Sequence, residues 1–408
     1  MRYRDMNRLD DFSHDVKVIL DFIGEKKYQS ALEKVGNDLR SKGFVTPFDD
    51  ALFALELDLW NLERLRTECA GKFTLLPARC HAGVDFLLGL GQTIPVLSEK
   101  GKAVLLGRIE DGLDSGLWPL RHELGIAANL SKRGWDIQFH DLEEEGGFDF
   151  LVEKRGMTCE IEAKAISAFT GWPIKPENLN KLLVEIKQHF KWEDASAIPV
   201  IGATLTSSLL PDRNELQQLV SAFSTVAQTQ VELTLPEAQV RFVGTIPYTT
   251  ADKVVAALEK QSQTRRLIVL FNPNHPKLIL EIASAKPIQT AHRIIRTVKD
   301  AAKTQFSRSH PAIIWTHVNF IPEETFLKLG ATQEGRASFL DSVANAILLS
   351  QKRDHLSQLV FSGGSFLSKT GDAARSSYRS IVYDSPICRF GKAVVFERGR
   401  VHPDYREA

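Results

Sequence analysis

Apolar residues recur at helical spacing early in the chain, at Val16, Ile19, Leu20 and Phe22 and again at Leu32, Val35 and Leu39, which predicts packing helices over most of 1–100. The segment 53–62, FALELDLWNL, fits strand alternation nearly as well as a helix and stays open between the two. Near residue 116 the pattern changes. Pro119 suits a helix start and Gly134 a helix end, bracketing LRHELGIAANLSKR. Three short alternating runs follow, at 135–140, 148–153 and 157–166, with KRG as a tight turn between the last two. A helix over 176–190 sets Leu179, Leu182, Leu183 and Ile186 on one face, and an apolar strand over 198–205 comes next.

The alternation continues with a helix from 212, a strand over 240–246, a helix from 250 and a strand over 266–271. A long helix over 288–306, a strongly apolar strand over 312–318 and two strand-like runs, 359–367 and 380–390, end the chain. The fold class expected is α/β. Its parts are a mainly helical region over 1–100, a core over 101–248, and an α/β region over 249–408 that either binds substrate or continues the core sheet. No internal repeat and no low-complexity segment stands out.

Composition narrows the class. A chain of 408 residues exceeds one compact unit, and 43% hydrophobic with 25% charged residues is ordinary for a water-soluble protein. No apolar run is long enough to cross a bilayer, and the N-terminal stretch MRYRDMNRLDDF lacks a secretory signal's apolar core, so a cytoplasmic location without a membrane partner is expected. Cys69, Cys80, Cys159 and Cys388 are scattered without a CxxC pair and are read as reduced, packed thiols. With 51 basic against 51 acidic residues, the whole molecule exerts no net pull on a polyanion. Any hold on phosphates must come from a local basic patch or from bound metal ions.

The third run carries the candidate chemistry. An acid-x-lysine triplet also occurs at Asp15, Glu25 and Glu185, but each of those lies in a helical pattern, whereas Glu162-Ala163-Lys164 lies in a strand. Strand alternation puts Glu160, Glu162 and Lys164 on one face and Cys159, Ile161, Ala163 and Ala165 on the other. A hairpin with the preceding strand brings Asp149 beside Glu162. Two carboxylates among apolar neighbours are costly unless a cation joins them, and Mg²⁺ suits a pair of acids in an open cleft. Glu123 falls within the buried stripe of Leu120, Leu124, Ala127 and Leu130, where it answers either to a nearby arginine or lysine or to the metal site. Glu160 reads as an ordinary exposed strand residue in preference to a further ligand.

A helix with Glu123, a strand, a strand with Asp149, a strand with Glu162-x-Lys164, a helix and a strand together resemble the αβββαβ core of the PD-(D/E)xK phosphodiesterase superfamily, the restriction-endonuclease-like fold. The resemblance covers 116–206. ISAFTGWPI after the third strand is similar to the same stretch in bacterial proteins of that superfamily, and Phe148 stands where many members have proline, a residue without chemical work there. The resemblance implies that Asp149, Glu162 and the Ala163 carbonyl, with Glu123, hold Mg²⁺ or Mn²⁺, and that Lys164 orients the attacking water or neutralises developing charge. It implies an endonuclease or other nuclease acting on DNA in preference to RNA, in bacterial defence or processing of foreign DNA. The alternative is a catalytically silent member that binds nucleic acid or a protein partner. A homodimer would suit cleavage of both strands of a duplex.

Weaker signals remain. His292, Arg293, Arg296, Lys299 and Lys303 line one side of the long helix and read either as a nucleic-acid contact or as a solvated face. Gln305 faces the cleft or caps that helix. Ser362-Gly-Gly-Ser reads as a turn, because no GK[ST] follows it. His81, His122, His310 and His317 have no partner at ligand spacing and receive no role, and no GxSxG elbow is present.

Overall fold

The computed structural model describes residues 17–41, 44–45, 55–56, 59–60, 62, 81–115, 117–143, 145–167, 174–190, 197–207, 213–247, 266–271, 277–286, 290–319, 323–331, 337–363, 368–370, 373–375, 379–391 and 395–396. The chain divides into two compact units, one made of 1–36, 53–168 and 292–408, the other of 37–52 and 169–291. It therefore leaves the first unit after 168 and returns at 292, where the run of elements along the sequence suggests one passage from 101 to 248.

The first unit holds a helical run over 17–23, the part of α1 (Glu25–Ser41) up to Gly36, and helices α2 (His81–Thr93) and α3 (Glu99–Ser115). The described positions of the undecided segment, Leu55, Glu56, Leu59, Trp60 and Leu62, are helical, and the i, i+4, i+7 spacing of Leu55, Leu59 and Leu62 puts all three in the core. Glu56 is buried too, and it accepts the Leu117 N–H at 2.7 Å, at the start of α4 (Trp118–Lys132). A carboxylate there meets an unpaired helix N–H and the positive end of the helix dipole. Pro119 sits in the first turn of α4, and the helix closes before Gly134, as the sequence predicts. Its stripe of Leu120, Leu124, Ala127 and Leu130 shares one core with Phe150, Val152, Cys159 and Ile161 of the adjoining sheet.

That sheet starts as an antiparallel meander of β1 (Asp136–Phe139), β2 (Phe150–Lys154) and β3 (Met157–Ser167). β2 and β3 are joined by Arg155 and Gly156 at φ 52° and 77°, the left-handed backbone a two-residue hairpin needs at both positions. This turn fixes the register Leu151 to Glu160 and Phe150 to Ile161. All three strands and the turn agree with the sequence pattern.

The next elements do not complete this sheet. α5 (Pro176–His189) and β4 (Ala197–Leu205) form where the sequence places them, but β4 joins a second sheet with β5 (Ala238–Pro247), β6 (Arg266–Phe271) and β7 (Leu278–Ser284). Its order is Phe44–Val45, β6, β7, β4, β5, Leu233–Thr234, with β4 parallel to β7 and antiparallel to β5. This corrects the resemblance's extent over 116–206. α5, α6 (Arg213–Thr229), β4, β5 and β7 share their own apolar core.

The chain returns through α7 (Thr290–Thr304) into β8 (Ala312–Asn319), which runs parallel to β3 with Ile314 opposite Glu162 and Thr316 opposite Lys164. β8 is buried at every position, which explains its strongly apolar composition. α8 (Glu323–Gly330) and α9 (Phe339–Leu348) lead to β9 (Leu356–Gly363), parallel to β8, and β10 (Arg379–Asp384) closes the row antiparallel. The order is thus β10-β9-β8-β3-β2-β1, so the region after 292 continues the core sheet. The helix expected from 250, residues 168–173 of the ISAFTGWPI stretch, Gly364, Ser365, Cys69 and Cys80 lie outside the described residues. Among the described residues no helix is long and apolar enough to cross a membrane.

Candidate active site

Asp149 immediately precedes β2, and its Oδ2 accepts the Ala163 main-chain N–H at 2.6 Å. The bond pins this carboxylate against the middle of β3, beside Glu162. Glu162 is 2% exposed, and it ion-pairs through Oε1 with the Lys164 ammonium two residues along the same strand. Its other oxygen, Oε2, is buried without a hydrogen-bond partner. The Lys164 side chain is 30% exposed, so the group opens to solvent on the lysine's side.

Burial raises the Asp149 pKa, although the Ala163 N–H and the Lys164 and Arg108 charges pull the other way. Burial first, and then the Asp149 charge, push Glu162 up to about 8 against the pull of Lys164. Raised this far, Glu162 keeps its proton near neutral pH. For Lys164 burial acts downward, but the charges of Glu162, Asp149 and Glu123 outweigh it and the pKa is raised. The cluster without a divalent cation is thus a protonated carboxyl group held beside a firmly charged ammonium.

Glu123 comes from α4. Burial, and then the Asp149 charge, push it up to about 8, while Arg108 and Lys164 favour its ionised form. Arg108 on α3 donates from Nη1 to Glu123 Oε2 at 2.8 Å and from Nη2 to Asp141. Glu123 thus has the arginine partner that one reading gave it, and it lies within electrostatic reach of Asp149 and Lys164. Arg108 and Asp141 are not legible from strand alternation or from the acid-x-lysine spacing, because both lie outside the elements that carry those patterns.

Glu160, expected at the surface, is fully buried. It accepts the Ser307 N–H at 3.0 Å and the Ser307 hydroxyl, and His310 Nδ1 lies 3.5 Å away. The loop between α7 and β8 folds over it, which a reading of β3 alone does not disclose. Ala163 enters the site through its N–H. Gln305 ends α7 by donating its N–H to Ala301 at 3.1 Å, and its carbonyl lies 2.9 Å from where a Cβ on Gly147 would sit. The turn that carries Asp149 thus rests on the end of α7.

His122 and His317, unassigned in the sequence, lie against each other with ring centroids 5.1 Å apart and planes tilted by 32°. Ser362 Oγ meets His317 Nδ1 at 2.9 Å and accepts the Trp315 indole N–H at 2.8 Å. Burial lowers His122 to about 3 and holds His317 well below its ordinary value, so the pair is neutral near pH 7. The signal was a histidine inside the apolar run AIIWTHV and a serine inside LVFSG, polar residues in strands with no solvent face. His310 belongs to the Glu160 network, and the His81 side chain lies outside what is described.

Among the described residues no three His, Cys, Asp or Glu side chains are arranged to hold a metal ion as they stand. The donor set nevertheless suits a hard divalent cation. It offers carboxylate oxygens, one buried and partnerless, from groups whose protons a cation would displace. Comparison with protein-family models, with curated proteins and with solved structures finds no match.

Proposed function

We propose that this protein is a metal-dependent nuclease that hydrolyses phosphodiester bonds, in DNA by preference, with Asp149, Glu162 and Lys164 as its catalytic group. The observation that carries the reading is the buried, partnerless Glu162 Oε2 beside Asp149, on a strand that also presents Lys164. A buried carboxylate oxygen with no donor costs roughly 1–3 kcal/mol, more if charged, and a ligand that binds there removes the cost. The strand order supports the restriction-endonuclease-like reading in a changed form. The helix and parallel strand that complete the core are α7 and β8, and 169–291 is an insertion between its halves.

Asp149 and Glu162 would hold Mg²⁺ or Mn²⁺, with Glu123 at the edge of the site and Ala163 contributing main-chain atoms. When bound, such an ion lowers the pKa of a coordinated water and offsets the charge of the scissile phosphate. The Ala163 N–H fixes the orientation of Asp149. Lys164 stays protonated through the neighbouring carboxylates and donates to the charge that develops on the phosphoryl oxygens. Arg108 holds Glu123 and Asp141 in place.

The test is cleavage of linear, circular and single-stranded DNA and of RNA in Mg²⁺, in Mn²⁺ and in EDTA, beside Lys164→Ala and Glu162→Gln. Metal-dependent cutting reduced at least about 100-fold in both variants is expected. No cutting of any substrate by the native protein, with nucleic-acid binding intact, would replace the enzyme by a silent binding module of the same fold.

A further inference from the structure

The chain as a whole has no net charge, yet α7 gathers cations on one side. His292, Arg293, Arg296, Lys299 and Lys303 are exposed, while Ile294, Val298, Ala301 and Ala302 are buried in the core beneath them. At 100° per residue the exposed basic positions fall within an arc of roughly 120°. The only acid in that arc, Asp300, is neutralised by Arg296 at 3.6 Å. Arg293, Lys299 and Lys303 have no ionic or hydrogen-bonding partner among the described residues.

From Arg293 to Lys303 the helix rises about 15 Å, a length over which one strand of a DNA duplex carries roughly four phosphates. The face offers charge without an exposed Phe, Tyr or Trp on which an unpaired base would stack, so it suits a paired backbone better than a single strand. Its end is tied to the site. Lys303 stands two residues before Gln305, whose carbonyl packs against Gly147 in the turn that leads to Asp149. Ser307, just beyond, binds Glu160 of β3.

We infer that the exposed basic face of α7 is a docking surface for the phosphate backbone of double-stranded DNA and leads the duplex to the catalytic group. The inference rests on the nuclease reading for the identity of the site it serves. Binding itself is separable from that reading. The face contributes attraction without base recognition, so it adds affinity equally to all sequences and makes that affinity salt-dependent.

The experiment measures binding of a short DNA duplex in EDTA across a salt series, for the native protein, for Arg293→Gln/Arg296→Gln/Lys299→Gln, and for Lys132→Gln/Lys352→Gln, two exposed lysines on other elements of the same unit. Melting temperatures confirm folding, which the buried face of α7 should preserve. Expected is an affinity loss of at least about ten-fold in the α7 variant, with the slope of log affinity against log salt shallower by roughly two to three, and little change in the control. Hydrolysis of a small phosphodiester, bis(p-nitrophenyl) phosphate, should be the same in the α7 variant and the native protein. Unchanged duplex binding, equal loss in the control, no duplex binding by the native protein, or retained preference for single-stranded DNA or duplex RNA would overturn the inference. Metal-dependent hydrolysis of the small diester in those cases leaves the catalytic reading standing. Its absence, with duplex binding lost only in the α7 variant, removes that reading and leaves the docking surface.

Discussion

At the proposed metal site, protons would compete with a cation for the same two or three side chains. In the fold Glu162 and Glu123 titrate near 8, against 4.5 for a free glutamate. A carboxyl raised in this way contributes its stability fully below its unfolded value and loses it as pH climbs through the folded value. The metal-free protein should therefore lose stability between about pH 4.5 and pH 8 from these groups. A divalent cation restores it, because it stabilises the ionised form that the fold otherwise penalises. The expected result is a thermal shift on adding Mg²⁺ that is larger near pH 8 than near pH 6. Glu162→Gln, which removes one titrating carboxyl, should raise metal-free stability near pH 8 by roughly 1–3 kcal/mol while abolishing most of the shift. A shift independent of pH and insensitive to that substitution would assign Mg²⁺ to some other site. The residues of this cluster were legible because strand alternation and a hairpin are local rules. Arg108 was not, since its partners lie 15 and 33 positions away on other elements.

At the scale of elements, the meander β1-β2-β3 could be read from its alternation and turn, and α4 from Pro119 and Gly134, because each signal sits within the element it defines. The strand beside β3 could not. Glu162 lies opposite Ile314, and nothing in an apolar run states which parallel neighbour it will take. The sequence offers 198–205 first, and the fold uses 312–319. β7 escaped for a related reason, since LILEIAS is short and mostly apolar, without the period-two alternation that marks a half-buried strand. The joint between α7 and the Asp149 turn is likewise invisible until both are placed. It has a consequence. A Cβ on Gly147 would lie 2.9 Å from the Gln305 carbonyl, a backbone atom that cannot swing aside. Gly147→Ala should cost about 1–3 kcal/mol and move Asp149 relative to β3, so cleavage should fall by at least about ten-fold with duplex binding little changed. Native activity with native stability in Gly147→Ala would show that the turn tolerates displacement and that the joint does not position the acid.

On the scale of the whole molecule, the apolar cores of each unit are assembled from that unit's own elements, two in the first and one in the second among the described residues. Phe150, Ile161 and Ile314 belong to the first unit, and Leu183, Phe223 and Leu280 to the second. Separate cores permit separate unfolding transitions, so calorimetry can ask where a ligand binds. Every residue assigned to the catalytic group lies in the first unit, as does the exposed basic face of α7. A cation that binds only the folded form of that unit, at about a hundred times its dissociation constant, adds about 2.7 kcal/mol to it and nothing directly to the other. Mg²⁺ should therefore raise one of two transitions by a few degrees and leave the second in place, and the response should vanish in Glu162→Gln. Equal movement of both transitions in the native protein would mean that the units unfold as one cooperative body. A rise confined to the transition that survives Glu162→Gln would move the metal site out of the first sheet and take the proposed chemistry with it.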